Sequence, residues 1–420
     1  LRRGFTLVLA LVFAAAAHAA SSPSDLEQAG DRAACCAPES EGLDSRSLIE
    51  LTDWVRARGL PIFSLLVSRN GRLVYELYTS GLARDDAHYQ MSVTKSFVSA
   101  LVGIAIDKGI IAGTDVPLTQ VLPRRLFRSD ADVARFNDVT LRDVLGMSAL
   151  DTPDPPRVRT PEAVARQRQF LAARERVAFA LAQPVLAQHG HAFLYNDMTP
   201  VLATGALQYT AGVTAFDFAE RHLFGPLAFR NEEWMHQDRS GVDNGGYGLR
   251  VRPIDMQKFG ILYLRGGAWN GRQLISQAWV KQSFSPWNRS IPTLNAPDYG
   301  WFWWKYYGGN DWVGHMANGW KGQRIVVFPR QKVVVTMTAC IQDGSELRVV
   351  DEVMRFVARS LLPDSAVAAR AAQPRLNALL ETTRTGYSPA CPGGETRMVP
   401  SIAPKERRVP FNPDPSDVLR

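Results

Sequence analysis

Ser92 and Lys95 stand one helical turn apart in MSVTKSFVSALVGIAIDKG, residues 91–109. Positions i and i+3 of a helix share a face, so a hydroxyl and an amine are presented side by side. The N-terminal end of a helix carries partial positive charge and N–H groups without intrahelical partners, which favour a developing alkoxide on Ser92. Burial of Lys95 would lower its pKa. The spacing therefore predicts a neutral, proton-accepting amine beside a serine nucleophile, which is hydrolase chemistry without a catalytic histidine. The same residues also fit an N-cap serine followed by a solvated lysine. Their surroundings favour the first reading. Phe97, Val98, Leu101, Val102, Ile104 and Ile106 make the segment apolar almost all round, as in a core helix. A lysine at the start of such a helix needs a partner, and Ser92 supplies one.

Acyl transfer also needs a proton shuttle to the leaving group and donors for the oxyanion. Tyr195, in HAFLYNDMTPVLATGAL, precedes an apolar helix and could relay a proton, although a core tyrosine at a helix start has the same pattern. The turn Gly319-Trp320-Lys321-Gly322 interrupts a strand pattern. Glycine permits close backbone approach there, so a strand-edge N–H could face a substrate carbonyl.

The elements that must position these residues are legible. Asn70-Gly71 joins two alternating apolar runs, a strong hairpin signal. RIVVFP and KVVVTMTAC form a second hairpin across Arg330-Gln331. VRPIDMQKFGILYLRGG and ISQAWVKQSF read as helices, residues 350–362 as a final helix, and residues near 364–383 as one more. Strand pairs at both ends with helices between predict an α+β fold: an antiparallel sheet flanked by helices, with an inserted mostly helical lobe over about 116–250. A cleft between sheet and lobe is the natural site. In YGWFWWKYY, strand alternation would place Trp301 and Trp303 on one face and Trp304 and Tyr306 on the other. Trp301 and Trp303 are thus candidates for an apolar substrate wall.

In this order the three segments resemble the serine β-lactamase and penicillin-binding-protein superfamily, in its class C β-lactamase-related branch of esterases and amidases that includes 6-aminohexanoate-dimer hydrolases. Ser92-x-x-Lys95 matches the first motif. Tyr195-Asn196-Asp197 falls where the family has Tyr-x-Asn, and Ala317-Asn318-Gly319 where it has Lys-Thr-Gly or His-x-Gly. The likeness spans roughly residues 45–362. It implies Ser92 as nucleophile of an acyl-enzyme, Lys95 as general base, Tyr195 as proton carrier, and the N–H groups of Ser92 and Trp320 as the oxyanion hole, with Gly319 and Asp197 beside the substrate and no metal or organic cofactor. Two departures weaken β-lactam handling. Asp197 replaces asparagine; a carboxylate near Lys95 would favour the ammonium, so either it points elsewhere or Tyr195 carries more of the base role. Ala317 removes the cation that would face a substrate carboxylate; His315 and Lys321 are the basic residues nearby in sequence. The expected activity is hydrolysis of an ester or small linear amide. The alternatives are a D-Ala-D-Ala peptidase or β-lactamase, and a non-catalytic binding protein of the same fold. A second hydrolase-like stretch, Gly146-Met147-Ser148-Ala149-Leu150, lacks the last glycine of Gly-x-Ser-x-Gly and the strand-to-helix setting.

The 420 residues, 46% hydrophobic and 21% charged, suffice for a sizeable core. Arg2 and Arg3, the apolar run Phe5 to Ala17 and Ala17-His18-Ala19 read as a secretory signal, residues 1–19. An arm over 20–44, a hydrolase domain over 45–362 and a Pro-rich extension over 363–420 follow. Export to a periplasmic or extracellular space is expected, with no membrane span in the mature chain. The formal charge of +7 is dispersed and does not suggest nucleic acid as a partner; a small-molecule ester or amide is the expected one. Export permits disulfides. Pairing of Cys391 with Cys35 or Cys36 would tie the ends together, while Cys340 lies in an apolar strand. No Cys/His cluster has zinc spacing, and His189 with His191 reads as a loop pair.

Overall fold

The computed structural model describes residue 26 and most of 36–411; residues 1–25, 27–35, 80, 154–159, 188, 290–297, 309–311, 343, 363–371, 390, 392–407, 409 and 412–420 lie outside the described set. The signal-like segment and Cys35 are among the latter.

An eight-stranded sheet forms the backbone of the fold. Its strands are β1 Ile62–Arg69, β2 Arg72–Tyr78, β3 Asn288–Arg289, β4 Asp298–Tyr299, β5 Trp304–Gly308, β6 Trp312–Gly319, β7 Gln323–Phe328 and β8 Val333–Ala339. They lie in the order β2-β1-β8-β7-β6-β5-β4-β3, every pair antiparallel. The N-terminal hairpin thus pairs with the C-terminal one, Leu65 opposite Met337. Asn70 and Gly71 both take positive φ, as the tight turn of a twisted hairpin requires. All of β8 and all of β1 except Arg69 are buried, because helices cover both faces.

Seven helices matter here: α1 Ser45–Ala57, α2 Thr94–Asp107, α3 Thr199–Ala211, α4 Pro253–Leu264, α5 Gln277–Phe284, α6 Glu346–Ser360 and α7 Gln373–Gly386. On one face, α4 seats Gly260 against Val334 and Ile325, and its Gln257 accepts from the Thr336 hydroxyl at 2.8 Å. On the other, Thr52 of α1 meets the Tyr75 hydroxyl at 2.9 Å and Tyr306 donates to Asp351 of α6 at 2.6 Å. The regular structure of the lobe between residues 116 and 250 is mostly helical, with α3 buried over its first ten residues, Thr199 to Gln208. Helix α2 links the two halves: it packs on α3, and its Phe97 stacks on Phe259 of α4 at 3.9 Å. The α+β arrangement, antiparallel sheet and helical insertion agree with the sequence reading.

Two local expectations change, and the extension gains a defined place. The aromatic run is not one strand: Phe302 adopts φ 59°, so β5 begins only at Trp304. The Phe302 N–H donates to Leu145 O at 3.1 Å and its carbonyl accepts from Ser96 at 2.6 Å, bonds that hold this kink in place of a ladder. Cys391 bridges Cys340 at the end of β8, so it does not pair with the Cys35–Cys36 dipeptide. The described part of the extension is docked: α7 packs along α1 and β2, and Arg408 reaches the lobe, pairing with Asp243 at 2.6 Å and donating to Trp234 O at 2.8 Å.

That last contact carries a stability prediction. Asp243 is fully buried; burial pushes it up to about 6 while Arg408 pulls it down. A carboxyl raised in the folded state contributes full stability at low pH and loses it as pH rises through the folded value. Arg408→Ala removes the counter-charge, so it should destabilise by roughly 2 kcal/mol at pH 8, below the range for fully buried pairs because Arg408 is partly solvated. The deficit should shrink at pH 5, where Asp243 is protonated. Urea melts at the two pH values check this; an equal deficit at both would contradict it.

Candidate active site

Ser92 lies in a short 3-10 turn, Met91–Val93, that runs straight into α2. Met91 has φ 49°, a strained conformation for a non-glycine residue, and it turns the chain sharply just before the serine. Thr94 braces the turn, donating to Met91 O at 2.7 Å and accepting from the Leu249 N–H at 3.1 Å.

Lys95 is buried to 1% exposure on the first turn of α2. Its Nζ donates to Ser92 Oγ at 2.9 Å, to Asp197 Oδ1 at 2.8 Å and to Gly246 O at 2.7 Å. An ammonium has three N–H donors, and these contacts use all of them. The sequence-based expectation that burial leaves this lysine neutral changes because of its partners. Burial does act to lower its pKa, but the Asp197 carboxylate and Tyr195 outweigh it and hold the lysine above its ordinary value. The two sequence possibilities for Asp197 are also decided: it points at the lysine.

The neighbouring Asn196 explains this placement. It is buried, and its side-chain oxygen accepts from the N–H groups of Met198 and Thr199 at 3.0 and 2.7 Å, capping the entry to α3. Its flanking residues, Tyr195 and Asp197, then both reach Lys95. The Tyr195 ring lies 4.8 Å from the lysine Nζ and is backed by Trp304 at 5.6 Å. Trp304 in turn packs on Tyr299 and Phe193.

The third segment arrives on β6. Gly319 passes so close to the serine turn that a Cβ there would fall 2.6 Å from Gln90 O and 3.3 Å from Met91 Cβ. Only glycine fits, so the sheet edge meets the start of the nucleophile turn. Trp320 follows and is 58% exposed, one of the few large apolar residues presented to solvent among the described residues. Lys321 has φ 64° and is buried, with its ammonium 4.7 Å from the Trp320 ring.

The structure thus gathers Ser92, Lys95, Tyr195, Asp197, Gly319 and Trp320 into one place. Trp301 and Trp303 do not join them. Trp301 packs on Trp279 at 4.5 Å, and Trp303, 1% exposed, on Tyr263 at 4.7 Å. The kink at Phe302 turns both into the core, so they offer no surface to a substrate. His315 does not replace the cation missing at Ala317. It stacks on Phe284 at 3.8 Å, and burial pushes it down to about 3, so it is neutral at neutral pH. Among the described residues no group of three or more His, Cys, Asp or Glu is placed to hold a metal ion. Sequence reasoning missed the Gly246 carbonyl; the Gly245-Gly246-Tyr247-Gly248 stretch was a signal for close backbone approach.

A serine, a lysine and a tyrosine gathered on this fold are the parts of a serine hydrolase, the class to which the family comparison also leads. The chain belongs to the Beta-lactamase family, whose pattern matches residues 49–358. It is similar to the 6-aminohexanoate-dimer hydrolase of Paenarthrobacter ureafaciens, 24% identical over 286 residues that cover 65% of this chain and 71% of that one. Among solved structures, an octameric penicillin-binding protein homologue from Pyrococcus abyssi matches with TM-score 0.60 at 14% identity, over 75% of this chain and 77% of that one. A penicillin-binding protein homologue from Caulobacter crescentus matches with TM-score 0.58 at 15% identity, over 77% of this chain and 99% of that one. At this level the chain is a serine hydrolase of the β-lactamase and penicillin-binding-protein superfamily, similar to 6-aminohexanoate-dimer hydrolase.

Proposed function

We propose that this protein is an exported hydrolase that cleaves an ester or small linear amide through an acyl-enzyme on Ser92. The contact of Lys95 Nζ with Ser92 Oγ at 2.9 Å, on a buried lysine also held by Asp197 and the Gly246 carbonyl, carries this reading. Ser92 Oγ attacks the substrate carbonyl carbon. Tyr195 carries the serine proton to the departing alcohol or amine. Lys95 remains an ammonium and stabilises the serine oxygen as it becomes anionic. The N–H groups of Ser92 and Trp320 hold the oxyanion. In the second half, water attacks the acyl carbon, Tyr195 takes its proton, and that proton returns to Ser92 as the acid leaves.

Ala317 and the neutral His315 support an uncharged substrate over one with a carboxylate, and the exposed Trp320 ring supports an apolar acyl or leaving group. The Cys340–Cys391 disulfide supports export to an oxidising compartment. One observation favours a second reading: an ion-paired Lys95 would also suit a binding protein that has lost turnover. A fluorophosphonate probe separates the two. Labelling of wild-type protein at Ser92, with faster hydrolysis of p-nitrophenyl hexanoate than acetate and no nitrocefin turnover, is the expected outcome. An unlabelled Ser92 points to binding alone, and nitrocefin turnover to a β-lactamase.

A further inference from the structure

Arg324 is a buried cation that the acyl-transfer scheme above does not use. It sits on β7 opposite Asn318 of β6. Its neighbour Ile325 faces Gly260 of α4, so strand alternation sends Arg324 to the opposite face of the sheet, the one covered by α6. It is 3% exposed, its Nε is buried without a hydrogen-bond partner, and among the described residues no carboxylate lies in ion-pair contact with it. Glu346 favours its charge without ion-pair contact, so the buried guanidinium is only partly compensated. Burial pulls it down to about 10, which still leaves it charged at neutral pH.

What the guanidinium does touch is specific. Its Nη1 donates to Gly319 O in a short contact and to Gln323 O at 2.8 Å. The Gly319 carbonyl belongs to the same peptide unit as the Trp320 N–H. A cation on the oxygen of a peptide draws electron density from its nitrogen, makes the N–H a stronger donor, and fixes the plane in which that N–H points. Gln323 secures the next peptide, donating to Trp320 O at 3.2 Å and to Ala339 O at 2.6 Å. The turn between β6 and β7 is thereby held from behind at two successive carbonyls.

We propose that Arg324 is a positioning residue for acyl transfer: from the far face of the sheet it grips the Gly319 carbonyl and so aims and polarises the Trp320 N–H toward the oxyanion. The proposal rests on the hydrolase reading above. The oxyanion exists only during bond making and breaking, so Arg324 should matter to the transition state far more than to the bound substrate.

Arg324→Met should lower kcat on a p-nitrophenyl ester about tenfold, a fraction of the cost of losing an oxyanion donor outright, with KM within twofold. Arg324→Lys, which restores a cation, should recover part of it. Affinity for an alkylboronic acid, whose adduct on Ser92 places an oxygen in the same hole, should fall in step with kcat/KM. Independently of activity, 15N-tryptophan labelling gives ten backbone amide signals at most, with Trp320 assigned through Trp320→Phe. The Trp320 amide proton should move upfield in Arg324→Met. Unchanged kcat and boronate affinity in folded Arg324→Met, or an unmoved Trp320 amide, would overturn the proposal. So would equal losses in the Met and Lys variants, since a cation would then make no difference. A wild-type protein inert to esters and boronate would instead overturn the hydrolase reading, and the amide shift would then decide whether Arg324 polarises that peptide.

Discussion

Ser92→Ala lowers kcat/KM for p-nitrophenyl esters by at least about 1,000-fold and abolishes fluorophosphonate labelling, while leaving the fold intact. The magnitude follows from removing the atom that carries the acyl group; what remains is binding and oxyanion stabilisation without a covalent route. The fold should tolerate the change. Ser92 lies on a turn whose bracing bonds come from Thr94, not from its own hydroxyl. The loss of Ser92 Oγ leaves Lys95 its contacts to Asp197 and Gly246. Thermal melts within a few degrees of wild type, alongside the lost activity, are the expected pair of results. Equal ester hydrolysis by the two proteins would refute the nucleophile assignment.

The second large effect concerns Lys95 and the carboxylate beside it. Lys95→Met should reduce kcat by about 1,000-fold, within the range for losing a group that handles protons and charge in the transition state. Asp197→Asn is the more informative change. With the carboxylate in place, Lys95 is held as an ammonium. The same geometry also suits a neutral amine that donates to Asp197 and Gly246 and accepts from Ser92. Asparagine keeps the shape and removes the charge that disfavours this form. Burial is then opposed by Tyr195 alone, and the lysine falls from its raised value. The acid limb of kcat/KM should shift toward lower pH by about one unit or more, as Lys95 becomes available as a base. The stability sign separates this from unfolding. Because the folded lysine lies above its ordinary 10.5, its contribution is complete below that value and is lost only as pH rises beyond it. In Asp197→Asn a lowered lysine would instead cost stability as pH falls, so urea melts across pH 6 to 9 accompany the profile, and a shift with the protein folded throughout reports on catalysis. An unmoved profile in Asp197→Asn would show that Asp197 does not set the proton state of the site.

Much of the fold was readable from periodicity and turn chemistry. The Asn70-Gly71 hairpin, the hairpin between Phe328 and Val333, the helix ended by Gly266-Gly267 and the insertion between distant strand pairs all follow from local signals. The aromatic run misled because it has strand composition throughout. Its break at Phe302 is imposed by partners remote in sequence, the Leu145 carbonyl and the Ser96 hydroxyl. The docking of Arg408 on Asp243 had no local signal at all, since the two are 165 residues apart.

By itself, the sequence determined the reacting group and its neighbours in kind. A serine and a lysine one turn apart at the mouth of an apolar helix, a tyrosine before a second apolar helix and a glycine-containing strand turn state a chemistry through residue type and spacing, which are local properties. The tertiary structure alone decided the charge of that site. Whether Lys95 is neutral or an ammonium depends on burial, which pulls one way, and on Asp197 at 2.8 Å, which pulls the other, across a separation of 102 residues. Likewise, only the sheet brings Arg324 under the carbonyl of Gly319. Electrostatic energy depends on distance and on the surrounding dielectric, and both exist only once the chain has folded.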